Sequence, residues 1–333
     1  MTHRADLIPD LLLYVDEAEA SGGSGRALRD ACRRGLLVRV RRGAYCAGEL
    51  WAQLAPAQQH QLAIHAVTRR LRGPYLVAGR SAAAIWGMPF AAGPRDDVTL
   101  LVPYAGGGAS ESGTRRTCLS YDSARALEVG GIPVTTRART VLDQMRSLPF
   151  PRAVAAADHV QSRRRDAPVD RRELLDEWSR ARFSRGSAAV HRALDFSSPL
   201  SDSVGESECR AAIHLAGFET PELQRRWHDA DGWMESDYYW GSVDCAGEFD
   251  GKVKYTRDDL TDGDPSRVVW REKRREDRLR RQVSGVVRLV TEEVRQPLVL
   301  ARILDEARIP RRTRSHGRRF AVSEGRARAS EAS

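Results

Sequence analysis

Asp237-Tyr-Tyr-Trp240, Gly241-Ser-Val-Asp244 and Cys245-Ala-Gly-Glu248-Phe-Asp250-Gly-Lys252-Val-Lys254-Tyr255 run consecutively through the chain's last third. Two runs rich in apolar and aromatic residues around a short turn predict a β-hairpin. Side chains on a strand alternate faces, so Glu248, Asp250, Lys252 and Lys254 project to one side. A four-residue turn over 241–244 sets Asp237 directly opposite Glu248. A two-residue turn at Gly241-Ser242 sets Asp237 opposite Ala246, diagonal to Glu248. Directly paired residues share a face, so either register brings Asp237 to the carboxylate side. Such a face is costly and has no packing role, but it suits a divalent metal held against a phosphate. Mg²⁺ takes hard oxygen ligands, usually one or two carboxylates with water and substrate phosphate. Asp237, Glu248 and Asp250 are the candidate metal ligands for Mg²⁺ or Mn²⁺, and Lys252 would orient water or neutralise charge on phosphorus. A solvent-facing edge hairpin is the simpler alternative. The flanks Tyr238, Tyr239, Trp240, Phe249 and Tyr255 argue against a fully solvated one.

The chain has 333 residues, more than one ordinary domain, and 41% of them are hydrophobic, enough for real cores. No apolar run approaches the length of a membrane span, and the short patch Leu11-Leu-Leu-Tyr-Val15 is flanked by acids, unlike a signal peptide. Five dispersed cysteines with no C-x-x-C pair disfavour a disulfide framework or a structural zinc site, so a reducing cytoplasm is expected. The net charge of +9 comes mostly from arginine, whose planar fork suits phosphate. A basic balance of this kind is the footprint of a nucleic-acid binder, although an Arg-rich composition alone also follows from a GC-rich genome.

The first fifty residues carry that charge in a pattern. Leu7 to Ala20 reads as a helix, broken by Ser21-Gly-Gly-Ser-Gly25. Arg26 to Arg34 reads as a second helix stopped by Gly35. Leu36 to Val40, Arg41-Arg42-Gly43 and Ala44 to Cys46 read as strand, turn and strand. The sum is a winged helix-turn-helix. Its second helix offers Arg26, Arg29, Arg33 and Arg34, and its wing offers Arg39, Arg41 and Arg42 to a major groove and the flanking phosphates of double-stranded DNA.

A mixed α/β region follows over 51–150, with a helix at 57–71, strands at 75–78 and 98–102, a small-residue helix at 81–86 and a helix at 135–147. Gly106-Gly-Gly108 lacks the lysine and spacing of a P-loop. Residues 151–200 read as a charged helical connector with Arg163-Arg-Arg165 exposed. Beyond it, Gly205-Glu206-Ser-Glu208 opens a helix. A basic helix over 268–282 carries Arg271, Lys273, Arg274, Arg275 and Arg278, and Val286 to Val290 is a buried strand. His191, His214 and His228 lack metal-ligand spacing. The tail over 310–333 is polar and basic and is expected to be disordered.

Two resemblances can be named on these residues. The set Gly205-Glu206-Ser-Glu208, Asp237, Glu248-Phe-Asp-Gly-Lys252-Val-Lys-Tyr255 and Glu272-Lys-Arg-Arg-Glu-Asp277 resembles the PD-(D/E)XK restriction-endonuclease-like superfamily, nearest its very-short-patch-repair branch. The resemblance implies a mixed sheet flanked by helices over 201–309. It also implies that Glu206 or Glu208 is the acid of the first helix, Asp237 the metal-binding aspartate, Glu248 the second acid and Lys252 the basic group. Asp250 stands where that family's lysine is expected. The front, Leu28-Arg29 through Arg34-Gly-Leu-Leu-Val-Arg-Val-Arg-Arg-Gly-Ala-Tyr45 with Ser81-Ala-Ala-Ala-Ile-Trp-Gly87, is similar to AbiEi-type antitoxins, which implies promoter binding, repression and a cognate toxin. The expected whole is therefore α/β: a winged helix over 1–50, an α/β region, a connector, and a nuclease-like domain. Its expected function is that of a cytoplasmic DNA-binding protein with a Mg²⁺-dependent endonuclease domain, in a toxin–antitoxin or phage-defence setting. The alternative is a repressor whose nuclease fold is inert.

Overall fold

The computed structural model describes residues 9–89, 97–103, 113–118, 121–122, 124–165, 167–181, 183, 186–251 and 274–312. The N-terminal elements are β1 (Leu13–Tyr14), α1 (Val15–Ala20), α2 (Gly25–Arg33), β2 (Leu37–Arg41) and β3 (Ala44–Ala47). Ser24 caps α2 by accepting the Arg26 N–H at 3.1 Å, and Gly35 ends it with φ of 77°, a conformation that suits a residue without Cβ. The expected helix from Leu7 to Ala20 is instead a short 3-10 turn, Pro9–Leu11, then β1 and α1. Leu13 and Tyr14 leave the helix to pair with Tyr45 and Ala44, which completes a three-stranded sheet in the order β1-β3-β2.

Helices α3 (Gly48–Gln53) and α4 (Pro56–Thr68) lead into a five-stranded mixed sheet, with α5 (Gly79–Ile85) between two of its strands. Its strands are β4 (Leu76–Val77), β5 (Val98–Leu101), β6 (Thr114–Thr117), β7 (Ala126–Val129) and β8 (Ile132–Thr135), in the order β6-β5-β4-β8-β7. The wing and this sheet share one core. Val40 and Cys46 of the wing are buried in the same cluster as Leu62 and Ile64 of α4 and Val77, Leu100 and Val134 of the sheet. The winged helix is thus built onto α4, and its hydrophobic core does not close at residue 50.

Four helices follow: α6 (Arg137–Met145), α7 (Phe150–Gln161), α8 (Arg171–Ala181) and α9 (Ser187–Phe196). Helix α7 packs on α10 (Val204–Leu215), and a buried ion pair joins them. Arg210 donates to Asp158 at 2.7 Å, with side chains 4% and 1% exposed. The last sheet has strands β9 (Glu222–Asp229), β10 (Gly232–Trp240), β11 (Cys245–Asp250) and β12 (Gly285–Val290), ordered β12-β11-β10-β9 with β11 and β12 parallel. One face, carrying Tyr238, Trp240, Cys245 and Leu289, is covered by α10 and by α13 (Pro297–Glu306). The other, carrying Ala246 and Val286, is covered by α11 (residues 274–280). Helix α12 (Thr291–Val294) connects β12 to α13. A mixed sheet flanked by helices was the expected architecture of this region. Helix α13 was not anticipated. No helix among the described residues is long and apolar enough to cross a membrane.

Gly247 shows how tightly the helix-covered face is packed. A Cβ at this position would lie 2.8 Å from Trp240 Cζ3 and 3.0 Å from Tyr238 Cβ, and both aromatic residues are fully buried. Gly247→Ala is expected to cost about 1–3 kcal/mol from overpacking. A lowered urea midpoint with an unchanged m-value would report it, and a wild-type midpoint would mean that the sheet has slack at this point.

Candidate nucleic-acid interface

Helix α2 and the wing wall an open concavity of about 790 Å³. Arg26, Arg29 and Arg33 line it from α2, and Arg39 and Arg42 from the wing. Arg70 lines it from just beyond the C-cap of α4. All six are exposed. Asp30 also lines the concavity and is ion-paired with Arg33, an exposed contact that contributes little to stability. The hairpin fixes which wing arginines arrive here. Arg39 pairs with Tyr45, but the ladder then shifts, so that Arg41 pairs with Ala44 and Val40 is the extra residue of a bulge. In an even hairpin Arg39 and Arg41 would share a face; the bulge puts them on opposite ones.

Arg41, expected beside Arg39 and Arg42, is not among the residues lining the concavity. It points to the core side and donates to the Gly113 carbonyl at 3.2 Å, and burial pulls its guanidinium below the usual pKa. Arg34 is the C-cap of α2 and remains exposed, but it is not among the residues lining the concavity. Arg70 was missed by sequence reasoning. Nothing in its spacing marks it, because α4 reaches the wing only through the tertiary fold. Its neighbour Arg69 ties α4 to the first helix, with contacts of 3.2 Å to Asp16 and 2.9 Å to Glu17 and a stack 3.9 Å over the Tyr14 ring.

The C-terminal hairpin has the four-residue turn. Trp240 pairs with Cys245 and Tyr238 with Gly247, a register that places Asp237 opposite Glu248. The carboxylates there are engaged by the protein itself. Arg275 grips Glu248 with both terminal guanidinium nitrogens, at 3.0 and 2.5 Å, and also donates to the Glu235 carbonyl at 3.2 Å. Asp237 accepts the Phe249 N–H at 2.8 Å. Asp250 ends β11, half-buried. Glu206 is the third residue of α10 and serves a reciprocal cap: it accepts from the Ser203 hydroxyl at 2.7 Å and the Asp202 N–H at 3.0 Å, while its own N–H donates to Ser203 Oγ. Gln224, with φ of 52°, donates to the same carboxylate at 3.3 Å. Glu208 faces Arg152 instead, at 3.5 Å.

Among the described residues no three His, Cys, Asp or Glu side chains gather as a metal site. Glu248, one of the expected Mg²⁺ ligands, is here ion-paired with Arg275. Lys252, Arg271 and Lys273 lie outside the described residues. In the basic helix, expected to hold a DNA backbone, the described arginines meet the protein's own acids. Arg278 forks onto Asp229 at 2.9 and 2.5 Å and holds that carboxyl below its usual range, and Arg274 lies 3.8 Å from Asp231. Arg275 and Arg278 therefore turn inward to neutralise the sheet's acids. Residues missed at this face include Glu235, which pairs with Arg226 at 2.6 Å and lies 3.8 Å from Arg164 of the connector.

No curated protein sequence matches the chain. Among solved structures, the RV2827C protein from Mycobacterium tuberculosis is similar at 16% identity, over 58% of this chain and 79% of that one, with a TM-score of 0.33. That superposition is too loose to bear on fold or function. Residues 15–48, which run from α1 through α2 to the end of the wing, match the family described as transcriptional regulator, AbiEi antitoxin.

Proposed function

We propose that the protein is a DNA-binding transcriptional regulator that holds duplex DNA between α2 and the wing. The observation that carries this reading is the convergence of arginines from both elements on one concave surface. The family match over 15–48 supports it and makes a toxin–antitoxin pair, with a cognate toxin as partner, the setting of choice. Binding is expected to need no metal. Fluorescence anisotropy with a duplex from the region upstream of the protein's own coding sequence, in EDTA, should give an affinity that falls steeply with salt, because each neutralised phosphate releases counterions. Undetectable or salt-indifferent binding would remove the reading.

A metal-dependent nuclease is the second reading, favoured by the register that sets Asp237 opposite Glu248. In this reading Arg275 competes with the metal for Glu248. The same duplex incubated with Mn²⁺ or Mg²⁺ separates the two readings. The regulator leaves it intact. Cleavage that disappears in Asp237→Ala would favour the nuclease.

A further inference from the structure

Adjacent major and minor grooves of a duplex are separated by a single sugar-phosphate strand. A helix in one groove and a wing reaching the next must therefore straddle that strand. Whatever lies at the floor of the notch between them faces phosphate, not base edges. Here a residue of neither element joins the lining of the notch. Arg70 donates to the Arg42 carbonyl at 2.8 Å, and its guanidinium lies over Gly43, where a Cβ would sit 3.5 Å from Nη1. A guanidinium carries five N–H donors, so this bond leaves others on the side that lines the concavity.

The placement of Arg70 is firm for two reasons. Helix α4 shares its core with the wing through Leu62, Ile64, Val40 and Cys46. The adjoining Arg69 holds Asp16 and Glu17 of α1. The wing is thus held from two sides by groups outside the segment that matches the family: Arg70 fixes its tip, and the Gly113 carbonyl receives Arg41.

We propose that the notch seats one phosphodiester strand of duplex DNA, and that Arg70 is both a phosphate contact and the positioning residue of the wing. The proposal rests on the winged-helix reading, and its test keeps the two apart. Full-length wild type, Arg70→Ala and Arg70→Lys are titrated into the upstream duplex and into an unrelated duplex across a range of salt, after circular dichroism has confirmed equal folding. Losing one phosphate contact should flatten the slope of log K against log salt by about 0.9, and weaken binding roughly five-fold at about 0.15 M salt. Both duplexes should lose alike, because phosphate carries no sequence. Lysine should restore the slope through its charge but not the full affinity, because it lacks the planar fork that covers Gly43. Weaker binding of Arg70→Ala with a wild-type slope would overturn the phosphate contact and leave only the wing support. A wild type that shows no salt-dependent binding would instead bring down the reading beneath it.

Discussion

Arg210→Ala is expected to lower the unfolding free energy by about 3–5 kcal/mol, the cost of leaving a buried charge without its partner. Set against a typical total of about 5–15 kcal/mol, that loss removes roughly a fifth or more of the stability of an ordinary domain. Arg210 bonds Asp158 at 2.7 Å and the Phe196 carbonyl at 2.8 Å, and lies 4.4 Å from the centre of the Phe196 ring. In its absence Asp158, whose side chain is 1% exposed, keeps the Ser198 N–H at 2.7 Å but no cation at its other oxygen. Burial already holds the Asp158 carboxyl above its usual pKa, with Arg210 opposing the rise. Removing Arg210 lifts it further. The folded variant then binds a proton more readily than its unfolded chain does, so the penalty is present at neutral pH and shrinks as pH falls through the raised folded pKa. Urea titrations at neutral and mildly acidic pH would show this as a deficit that narrows with acid. A deficit below about 1 kcal/mol at neutral pH would place the pair among ordinary exposed bridges. The double change Arg210→Met with Asp158→Leu should recover much of the loss, because it removes both charges together.

How far these features could be read from sequence depends on whether they are set locally. The stop of α2 at Gly35 is local, and so is the hairpin at Gly241 to Asp244: in each case turn chemistry and alternation decide the outcome within a few residues. That Asp237 shares a face with Glu248 follows from strand alternation under either turn, and the structure selects the four-residue one. Alternation misleads where one residue is inserted. Nothing in Val38-Arg39-Val40-Arg41-Arg42 marks Val40 as the bulged position, yet that bulge decides that Arg39 faces the notch and Arg41 the core. The first predicted helix failed for another reason. Leu13 and Tyr14 have helical neighbours, but an available edge at Ala44 and Tyr45 offers backbone partners that outweigh local propensity. Arginine composition was a sound guide to charge and a poor one to direction. Arg275 and Arg278 carry the same formal charge as Arg29 and Arg42, but α11 packs against a sheet face bearing Glu248 and Asp229. That pairing is a tertiary fact with sequence separations of 27 and 49 residues, beyond any periodicity argument.

The same contrast between arginines facing the notch and arginines turned inward gives the largest expected effect on binding. The triple variant Arg29→Ala, Arg39→Ala, Arg42→Ala removes one cation from α2 and two from the wing, all exposed and all lining the concavity. If each neutralises one phosphate, the slope of log K against log salt should flatten by about 2.7, and affinity at about 0.15 M salt should fall on the order of 10²-fold. Stability should hardly move, because none of the three is buried or holds a buried partner. Arg41→Ala is the matched contrast. It lies between Arg39 and Arg42 in the same wing, yet its guanidinium bonds the Gly113 carbonyl at 3.2 Å and lines the core side. Its loss should lower the melting temperature and leave the salt slope at the wild-type value. A sequence-based view of the wing as a uniformly basic loop predicts that Arg41→Ala flattens the slope as Arg42→Ala does. The bulged hairpin predicts that it does not, so a flattened slope for Arg41→Ala would mean that the wing meets DNA through its other face.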